Sequence, residues 1–164
     1  MAYRTTDLCD AHADDPTAQV RVVNPMFVGY GGRRRFSGPV TTLKLFEDNV
    51  RVREILSEPG EGGVLVVDGG GSMRCALLGD QLAALGRENG WSGAVIYGCV
   101  RDSADLAEID FGVQALNTHP LKSQKKGLGE RDVSVTFAGA TIQSGDWIYV
   151  DEDGVIVAGR QLAD

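Results

Sequence analysis

Two continuous apolar runs, at residues 63–68 and 94–100, stand out in the pattern of this chain and predict strands covered on both faces. Apolar positions spaced along one helical face predict helices over residues 49–57 and 80–89. The first helix ends before Pro59, while the second begins at Asp80 as its N-cap and stops at Gly90. Strands and helices therefore alternate through the middle of the chain.

The flanking segments predict shorter elements. We expect brief helices at residues 5–13 and 104–108, and strands at residues 39–46 and 112–116. Residues 27–38 form a glycine- and arginine-rich loop, and residues 73–78 form either a short strand or a helical turn. Beyond residue 130 the pattern predicts four short strands joined by turns, at 133–137, 140–142, 147–150 and 155–157. The fold class is therefore α/β with a β-rich C-terminal part, in a single domain over residues 1–164.

Composition narrows the class of protein. Hydrophobic residues make up 43% and charged residues 24% of the 164 residues, which is typical of a folded cytosolic domain. A net charge of −7 disfavours direct binding to nucleic acid, and no apolar run is long enough to span a membrane. Cys9, Cys75 and Cys99 are far apart, so we expect buried thiols in a reducing cytoplasm and no disulfide framework or zinc cluster.

The dipeptide Arg101-Asp102 is the strongest chemical signal, because it directly follows the second buried strand. A guanidinium can bind an anionic substrate in a fork, and a carboxylate can hold a hard divalent cation. Asp80 lies 21 positions earlier, at the start of a helix whose free amides could receive a second anionic group. Since α/β sheets place their sites at such strand ends, these residues predict a metal-assisted site for a small anion.

Other motifs are weaker. The run Gly69-Gly70-Gly71 lacks the Lys-Ser/Thr ending of a phosphate loop and the spaced glycines of a dinucleotide loop, so we expect a tight turn beside another chain or the adjacent site. The acidic run 151–153 is a hairpin tip. The two basic islands, residues 33–35 and Lys122 with Lys125-Lys126, are expected to be solvated loops, with docking to an acidic surface as the alternative.

The chain resembles the family that joins class II 4-hydroxy-4-methyl-2-oxoglutarate aldolases with the type A regulators of ribonuclease activity. The resemblance covers nearly the whole chain and rests on these segments: 36–39, 46–49, 67–72, 89–91, 98–102, 127–130 and 145–147. The family's aldolase signature is an Asp, twenty further residues, Arg-Asp, two residues, and an acid. Asp80, Arg101, Asp102 and Asp105 satisfy it. Typical bacterial regulators lack the acid after the Arg, so the resemblance points to a lyase.

The resemblance implies a mechanism. A divalent cation, Mg²⁺ or Mn²⁺, would be held by Asp102 and water, and would polarise the keto group of a 2-oxo acid while C–C cleavage produces pyruvate. Arg101 would bind the substrate and stabilise the enolate oxygen. Backbone amides of Gly79, Asp80, Gln81 and Leu82 would receive the substrate carboxylate. Asp80 and Asp105 would orient water or Arg101, or transfer a proton. The same chemistry would allow decarboxylation of oxaloacetate.

The resemblance also implies a layered β/β/α domain of the swivelling type, assembled as a homotrimer or a hexamer with sites at subunit contacts. A different class of function remains open: a protein that binds and inhibits an endoribonuclease of the RNase E type, to which an acidic surface would be suited. Methyl transfer to a quinone, a third activity associated with this family, is disfavoured because the adenosylmethionine loop is missing.

Overall fold

The computed structural model describes residues 2–164 and shows four short helices among twelve strands in that range. The helices are α1 (Thr5–His12), α2 (Val50–Leu56), α3 (Asp80–Glu88) and α4 (Ser103–Leu106). The strands are β1 (Arg21–Val22), β2 (Val28–Gly29), β3 (Phe36–Lys44), β4 (Val64–Asp68), β5 (Ala76–Leu78), β6 (Gly93–Val100), β7 (Gly112–Thr118), β8 (Glu130–Arg131), β9 (Val135–Phe137), β10 (Ala140–Ile142), β11 (Trp147–Val150) and β12 (Val155–Ala158).

The strands form two sheet layers that share β3. The strand order is β1-β12-β11-β3-β4-β6-β7-β2, with β5 added beside β6 and β8 beside β3. Residues 36–39 of β3 pair antiparallel with β11, whereas residues 40–44 pair parallel with β4. Since β4, β5 and β7 also run parallel to β6, the carboxyl ends of these strands lie at one edge of the central layer. The hairpin of β9 and β10 forms a separate two-stranded sheet.

Successive side chains of the buried strands point alternately into two different cores. Val64 and Val66 of β4 face a core between the two sheet layers, whereas Leu65 and Val67 face a core beneath the helices α2, α3 and α4. A third, smaller core lies where α1 covers the outer face of β11 and β12, with Tyr149 at its centre. The layers thus run sheet, sheet, helix, which confirms the predicted α/β class and its β/β/α layering.

The structure agrees with most predicted elements and corrects several. The segment at 73–78 resolves as the strand β5, and the brief helix predicted at 104–108 begins earlier and ends at Leu106. The predicted loop at 27–38 contains β2 and the first residues of β3. The two-residue strands β1, β2 and β8 were not predicted, because segments this short have no usable hydrophobic period. Within residues 2–164, no helix combines the length and apolarity needed to cross a membrane.

The acidic tip between β11 and β12 contains one buried carboxylate, that of Asp151, which is only 5% exposed. It accepts hydrogen bonds from the Thr5 N–H at 2.7 Å, the Thr5 hydroxyl at 2.8 Å and the Asp153 N–H at 2.9 Å. Burial alone would raise the pKa of Asp151, but these hydrogen bonds outweigh it and hold the pKa below its ordinary value. The acidic run is the hairpin tip predicted from the sequence, and within it Asp151 joins the start of α1 to the hairpin.

This anchor predicts a pH-dependent stability. Replacing Asp151 by Asn should lower the free energy of unfolding by about 2 kcal/mol at neutral pH, because charge-assisted hydrogen bonds are lost. A carboxylate with a lowered folded pKa stabilises the fold above its unfolded pKa and stops doing so as the pH falls through the folded value. The difference between wild type and Asp151→Asn should therefore shrink below about pH 4. Urea unfolding at several pH values measures this difference. The control is Asp153→Asn, because the Asp153 side chain is exposed, and a difference that stayed constant to low pH would contradict the assignment.

Candidate active site

The predicted site residues converge where two parallel strands end side by side. β5 ends at Leu78 and β6 at Val100, and these two residues are register partners. Directly after them, the Arg101 N–H donates to the Leu78 carbonyl at 2.9 Å. The chain then enters α3 from β5 and α4 from β6, so both helix starts face the same edge of the sheet. The structure thereby brings together residues that are about twenty positions apart in the sequence, as predicted from the strand ends.

A close approach between Gly79 and Asp102 defines this edge. A Cβ atom at position 79 would lie 2.4 Å from the Asp102 Oδ2 atom and 3.3 Å from the Arg101 Cγ atom. Only glycine at position 79 leaves room for the side chains of Asp102 and Arg101. Asp102 itself has a left-handed backbone, with φ 57° and ψ 43°, a strained conformation that non-glycine residues adopt mainly at turns and functional sites.

The start of α3 corrects the predicted capping. The N-cap is Gly79, which has no side chain to cap the helix, and Asp80 is the first helical residue. The Asp80 N–H instead donates to Asp102 Oδ2 at 3.3 Å, and the Gln81 N–H donates to Asp80 Oδ1 at 2.8 Å. Two of the four amides predicted to receive a substrate carboxylate therefore already donate to aspartates of the chain itself. Negative charge at a helix N-terminus is favourable, which stabilises both carboxylates here.

A cavity of about 450 Å³ opens over this helix start. It is lined by Asn49, Arg53, Ala76, Leu78, Gly79, Asp80, Gln81, Leu82, Arg101, Asp102, Lys122 and Lys125. This set contains every predicted catalytic, metal-binding and substrate-binding residue. Asp105, predicted as a supporting residue, is exposed on α4 and does not line the cavity.

Three cations of the cavity were not predicted as site residues. Arg53 lies on α2, and Lys122 and Lys125 belong to the basic island that we expected to be a solvated loop. Together with Arg101 they set four cationic side chains against the two carboxylates of Asp80 and Asp102. The local balance is positive in a chain whose net charge is −7, so the cavity favours an anion with more than one negative charge. The sequence shows that Lys122 and Lys125 belong to a basic island. It does not show which edge of the sheet this loop lies against.

The other basic island, residues 33–35, lies elsewhere and is largely neutralised within the chain. Arg33 forms an ion pair with Asp110 at 3.0 Å, and Arg35 pairs with Glu152 at 3.1 Å. Arg34 borders a larger cavity of about 560 Å³, whose wall is made mainly of apolar side chains and hairpin acids. That larger cavity contains none of the predicted site residues, so size alone does not identify the site.

The triple-glycine turn packs against its own chain. Gly70 and Gly71 have φ values of +68° and +70°, and added Cβ atoms would meet the rings of Phe46 and Tyr97. Glu47 holds the turn by accepting hydrogen bonds from Arg74 and Ser72. Hydrogen bonds from Arg74 and then Ser72 lower the pKa of Glu47 to about 2. On this side the turn packs against Phe46 and Tyr97 of its own chain, and contact with a neighbouring chain stays a prediction.

The donor set of the cavity suits one kind of cation. Among residues 2–164, no group of three or more His, Cys, Asp and Glu side chains could hold a metal ion. Structural and catalytic zinc normally require three or four protein ligands. Mg²⁺ instead keeps several waters and binds through one or two carboxylates plus substrate oxygens. The exposed carboxylate of Asp102, with Asp80 beside it, fits that second pattern.

Comparison with known proteins identifies the family. The model of the RraA-like family, described as Aldolase/RraA, matches residues 5–157, and the chain belongs to this family. A protein of Halorhodospira halophila with the provisional name 4-hydroxy-4-methyl-2-oxoglutarate aldolase is 84% identical over 99% of both chains. These findings confirm the resemblance drawn from the sequence.

Two solved structures have the same fold. One, described as an S-adenosylmethionine: 2-dimethylmenaquinone methyltransferase from Geobacillus kaustophilus, is 48% identical with a TM-score of 0.93, and covers 98% of this chain and 97% of its own. The other, described as the RNA-processing inhibitor RraA from Thermus thermophilis, is 44% identical with a TM-score of 0.93, and covers 99% of this chain and 96% of its own. The fold is therefore shared by proteins with different names, and the site must decide the function.

The Gly79 contact predicts a selective structural change. In Gly79→Ala, the new Cβ atom should displace the Asp102 carboxylate, because it would lie 2.4 Å from Oδ2. Asp102 is exposed, so we expect the thermal midpoint to fall by only about 1–3 °C while the carboxylate moves by about 1 Å or more. A crystal structure of the variant measures the displacement. An unmoved Asp102 carboxylate would show that this close approach does not set the site geometry.

Proposed function

We propose that this protein is a lyase that cleaves 4-hydroxy-4-methyl-2-oxoglutarate, and related 4-carboxy-4-hydroxy-2-oxo acids, to pyruvate. The observation that carries the proposal is the convergence of Arg101, Asp102 and Asp80 on one cavity with an excess of cations. The high identity to a relative named as such an aldolase supports the same reaction. A cation-rich pocket suits a substrate with two or three carboxylates, which this class of acid provides.

Arg101 and Asp80 have different roles in the proposed reaction. Arg101 is half-buried and lines the cavity, so its guanidinium can bind the 2-oxo acid and face the oxygen on which negative charge develops. When the C3–C4 bond breaks, the C4 hydroxyl loses its proton, C4 becomes the carbonyl of one pyruvate, and the electron pair enters the enolate of the other. Protonation at C3 then completes the second pyruvate. Asp80 borders the cavity and is the carboxylate placed to exchange a proton with the substrate or a water.

A divalent cation, Mg²⁺ or Mn²⁺, would be held by Asp102, and Asp80, which lines the same cavity, would orient its water. When bound, such a cation supplies Lewis-acid polarisation of the 2-oxo group. The Asp102 carboxylate is itself held by the Asp80 N–H, so its position is set before a ligand arrives. This preorganisation is what a site needs when the protein offers few ligands.

Oxaloacetate decarboxylation follows from the same arrangement. Loss of CO₂ from oxaloacetate leaves the pyruvate enolate that aldol cleavage also produces, and Arg101 faces the same developing charge. We therefore propose this as a second activity of the same cavity. It needs no additional residue.

The second candidate function is regulation of an endoribonuclease, favoured by the 44% identity to the protein described as an RNA-processing inhibitor. The lyase accounts for the Arg101-Asp102 pair and the cation-rich cavity, whereas protein binding assigns them no role. Co-purification with an RNase E-type nuclease at physiological salt tests the alternative, and binding that survives Asp102→Ala would support it. The triple-glycine turn, filled by Phe46 and Tyr97, gives no support to methyl transfer.

We also propose that the protein assembles as a homotrimer or a hexamer with the cavity near a subunit contact. The exposed apolar side chains of Phe46, Met73 and Leu121 support this. The Leu121 carbonyl accepts the Ala76 N–H of β5, Met73 lies shortly before β5, and Phe46 lies beside Gly70 in the turn that leads to it. Such exposed apolar side chains on neighbouring segments are typical of an interaction surface.

Pyruvate release tests the proposed lyase directly. With Mg²⁺ present, wild type should cleave 4-hydroxy-4-methyl-2-oxoglutarate, and EDTA should abolish the activity. Arg101→Ala and Asp102→Ala should each lower turnover by roughly 100-fold or more, because charge stabilisation or the cation is lost. The exposed carboxylate Glu108, on the same segment but outside the cavity, provides the control Glu108→Gln with unchanged activity. Equal activity with and without the metal, or in Asp102→Ala, would refute the metal role.

A further inference from the structure

The loop of residues 122–128 contributes two of the four cations to the cavity, yet it contains neither helix nor strand. A segment without regular backbone pairing needs other contacts to hold its side chains in place. Isolated bridges join Ala76 to Lys122 and Asp48 to Gln124. The chain between these bridges and β8 therefore depends on side chains that reach it from elsewhere.

The Asp48 carboxylate supplies those contacts. Asp48 is only 1% exposed and lies two residues before the start of α2. Its Oδ2 atom accepts the Lys126 N–H at 2.8 Å and the Leu128 N–H at 3.2 Å, while Oδ1 accepts the Val50 N–H at 3.1 Å. Burial alone would raise the pKa of Asp48, but the backbone donors outweigh it and keep the pKa below its ordinary value. One ionised side chain thus joins the loop to the first turn of α2.

Asn49 continues this connection into the cavity. Its Oδ1 atom accepts a hydrogen bond from the Lys125 ammonium group at 3.0 Å, and its Nδ2 group donates to the Leu77 carbonyl of β5 at 3.2 Å. Lys125 is thereby held on the side of the cavity that faces α2, where Arg53 also lies. Arg101 approaches from the other side, at the end of β6.

We propose that Asp48 is a positioning residue, which fixes the 122–128 loop so that Lys125, with Lys122, binds the second carboxylate of a dicarboxylic 2-oxo acid. The inference rests on the proposed function for the identity of the first binding group, the 2-oxo carboxylate beside Arg101. The loop then determines substrate class: it favours acids with a distal carboxylate over pyruvate itself. Charge-assisted hydrogen bonds of this kind contribute affinity without taking part in bond cleavage.

Calorimetric binding of two probes in the presence of Mg²⁺ tests the loop's role. 2-Oxoglutarate has a distal carboxylate and lacks the 4-hydroxyl needed for cleavage, whereas pyruvate has one carboxylate only. Wild type should bind 2-oxoglutarate about tenfold more tightly than pyruvate, and Lys125→Met should remove that preference while leaving pyruvate affinity within about twofold. Lys126→Met is the matched control, since the Lys126 side chain is exposed and outside the cavity lining. An equal loss for both probes, or an unchanged preference, would overturn the inference.

The positioning role of Asp48 has its own readout. Asp48→Asn should reduce the preference for 2-oxoglutarate as Lys125→Met does, and the double variant should show no further loss, because both changes disable the same contact. If the Asn variant does not fold, Asp48→Glu keeps the charge while its longer side chain shifts the loop, and it should show the same selective loss. Additive losses would show that Asp48 does not act through Lys125, and a parallel fall in pyruvate affinity would show that it acts only on the stability of the fold.

These measurements separate the inference from the proposed reaction. A wild-type protein that releases no pyruvate but keeps a preference removed by Lys125→Met would refute the lyase and support the loop's role. A protein that cleaves 4-hydroxy-4-methyl-2-oxoglutarate while Lys125→Met leaves the preference intact would refute the inference alone.

Discussion

The site depends on one close approach, in which the Asp102 carboxylate occupies the space that a side chain at position 79 would fill. The contact joins the turn after β6 to the start of α3, two segments that parallel pairing of β5 and β6 has already brought side by side. The Asp80 N–H then holds the carboxylate from the helix side. A flexible acidic side chain is thereby fixed at the point where the proposed cation and 2-oxo acid would meet, so a ligand would not have to order it.

The distribution of charged residues makes the cavity positive although the chain as a whole is acidic. The chain carries a net charge of −7, yet the cavity is lined by more cations than carboxylates. The local excess comes from three separate parts of the fold, namely α2, the end of β6 and the 122–128 loop. Buried Asp48 and half-buried Asn49 connect the loop to α2 and β5, so an acidic group and an amide group determine where the cations of the loop lie.

The buried strands and the Arg101-Asp102-Asp80 constellation could be predicted from the sequence, because apolar runs and strand-end polar residues are local signals. The β/β/α layering came from the family resemblance, and the alternation of Val64, Leu65, Val66 and Val67 between two cores agrees with it. The roles of Lys125 and Asp151 could not be predicted. Each role depends on a contact with a residue far away in the chain, Asn49 for Lys125 and Thr5 for Asp151. The sequence pattern indicated only a solvated loop around Lys125 and a hairpin tip at Asp151.

A crystal structure with Mg²⁺ and oxalate tests the proposed roles of Asp102 and Arg101 most directly. Oxalate is a planar dicarboxylate that resembles the pyruvate enolate. We expect the cation bound to the Asp102 carboxylate, and oxalate between that cation and the Arg101 guanidinium. A structure in which the cation binds elsewhere, or in which oxalate binds without contact to Arg101, would contradict the central claim that this pair of residues forms the reactive centre.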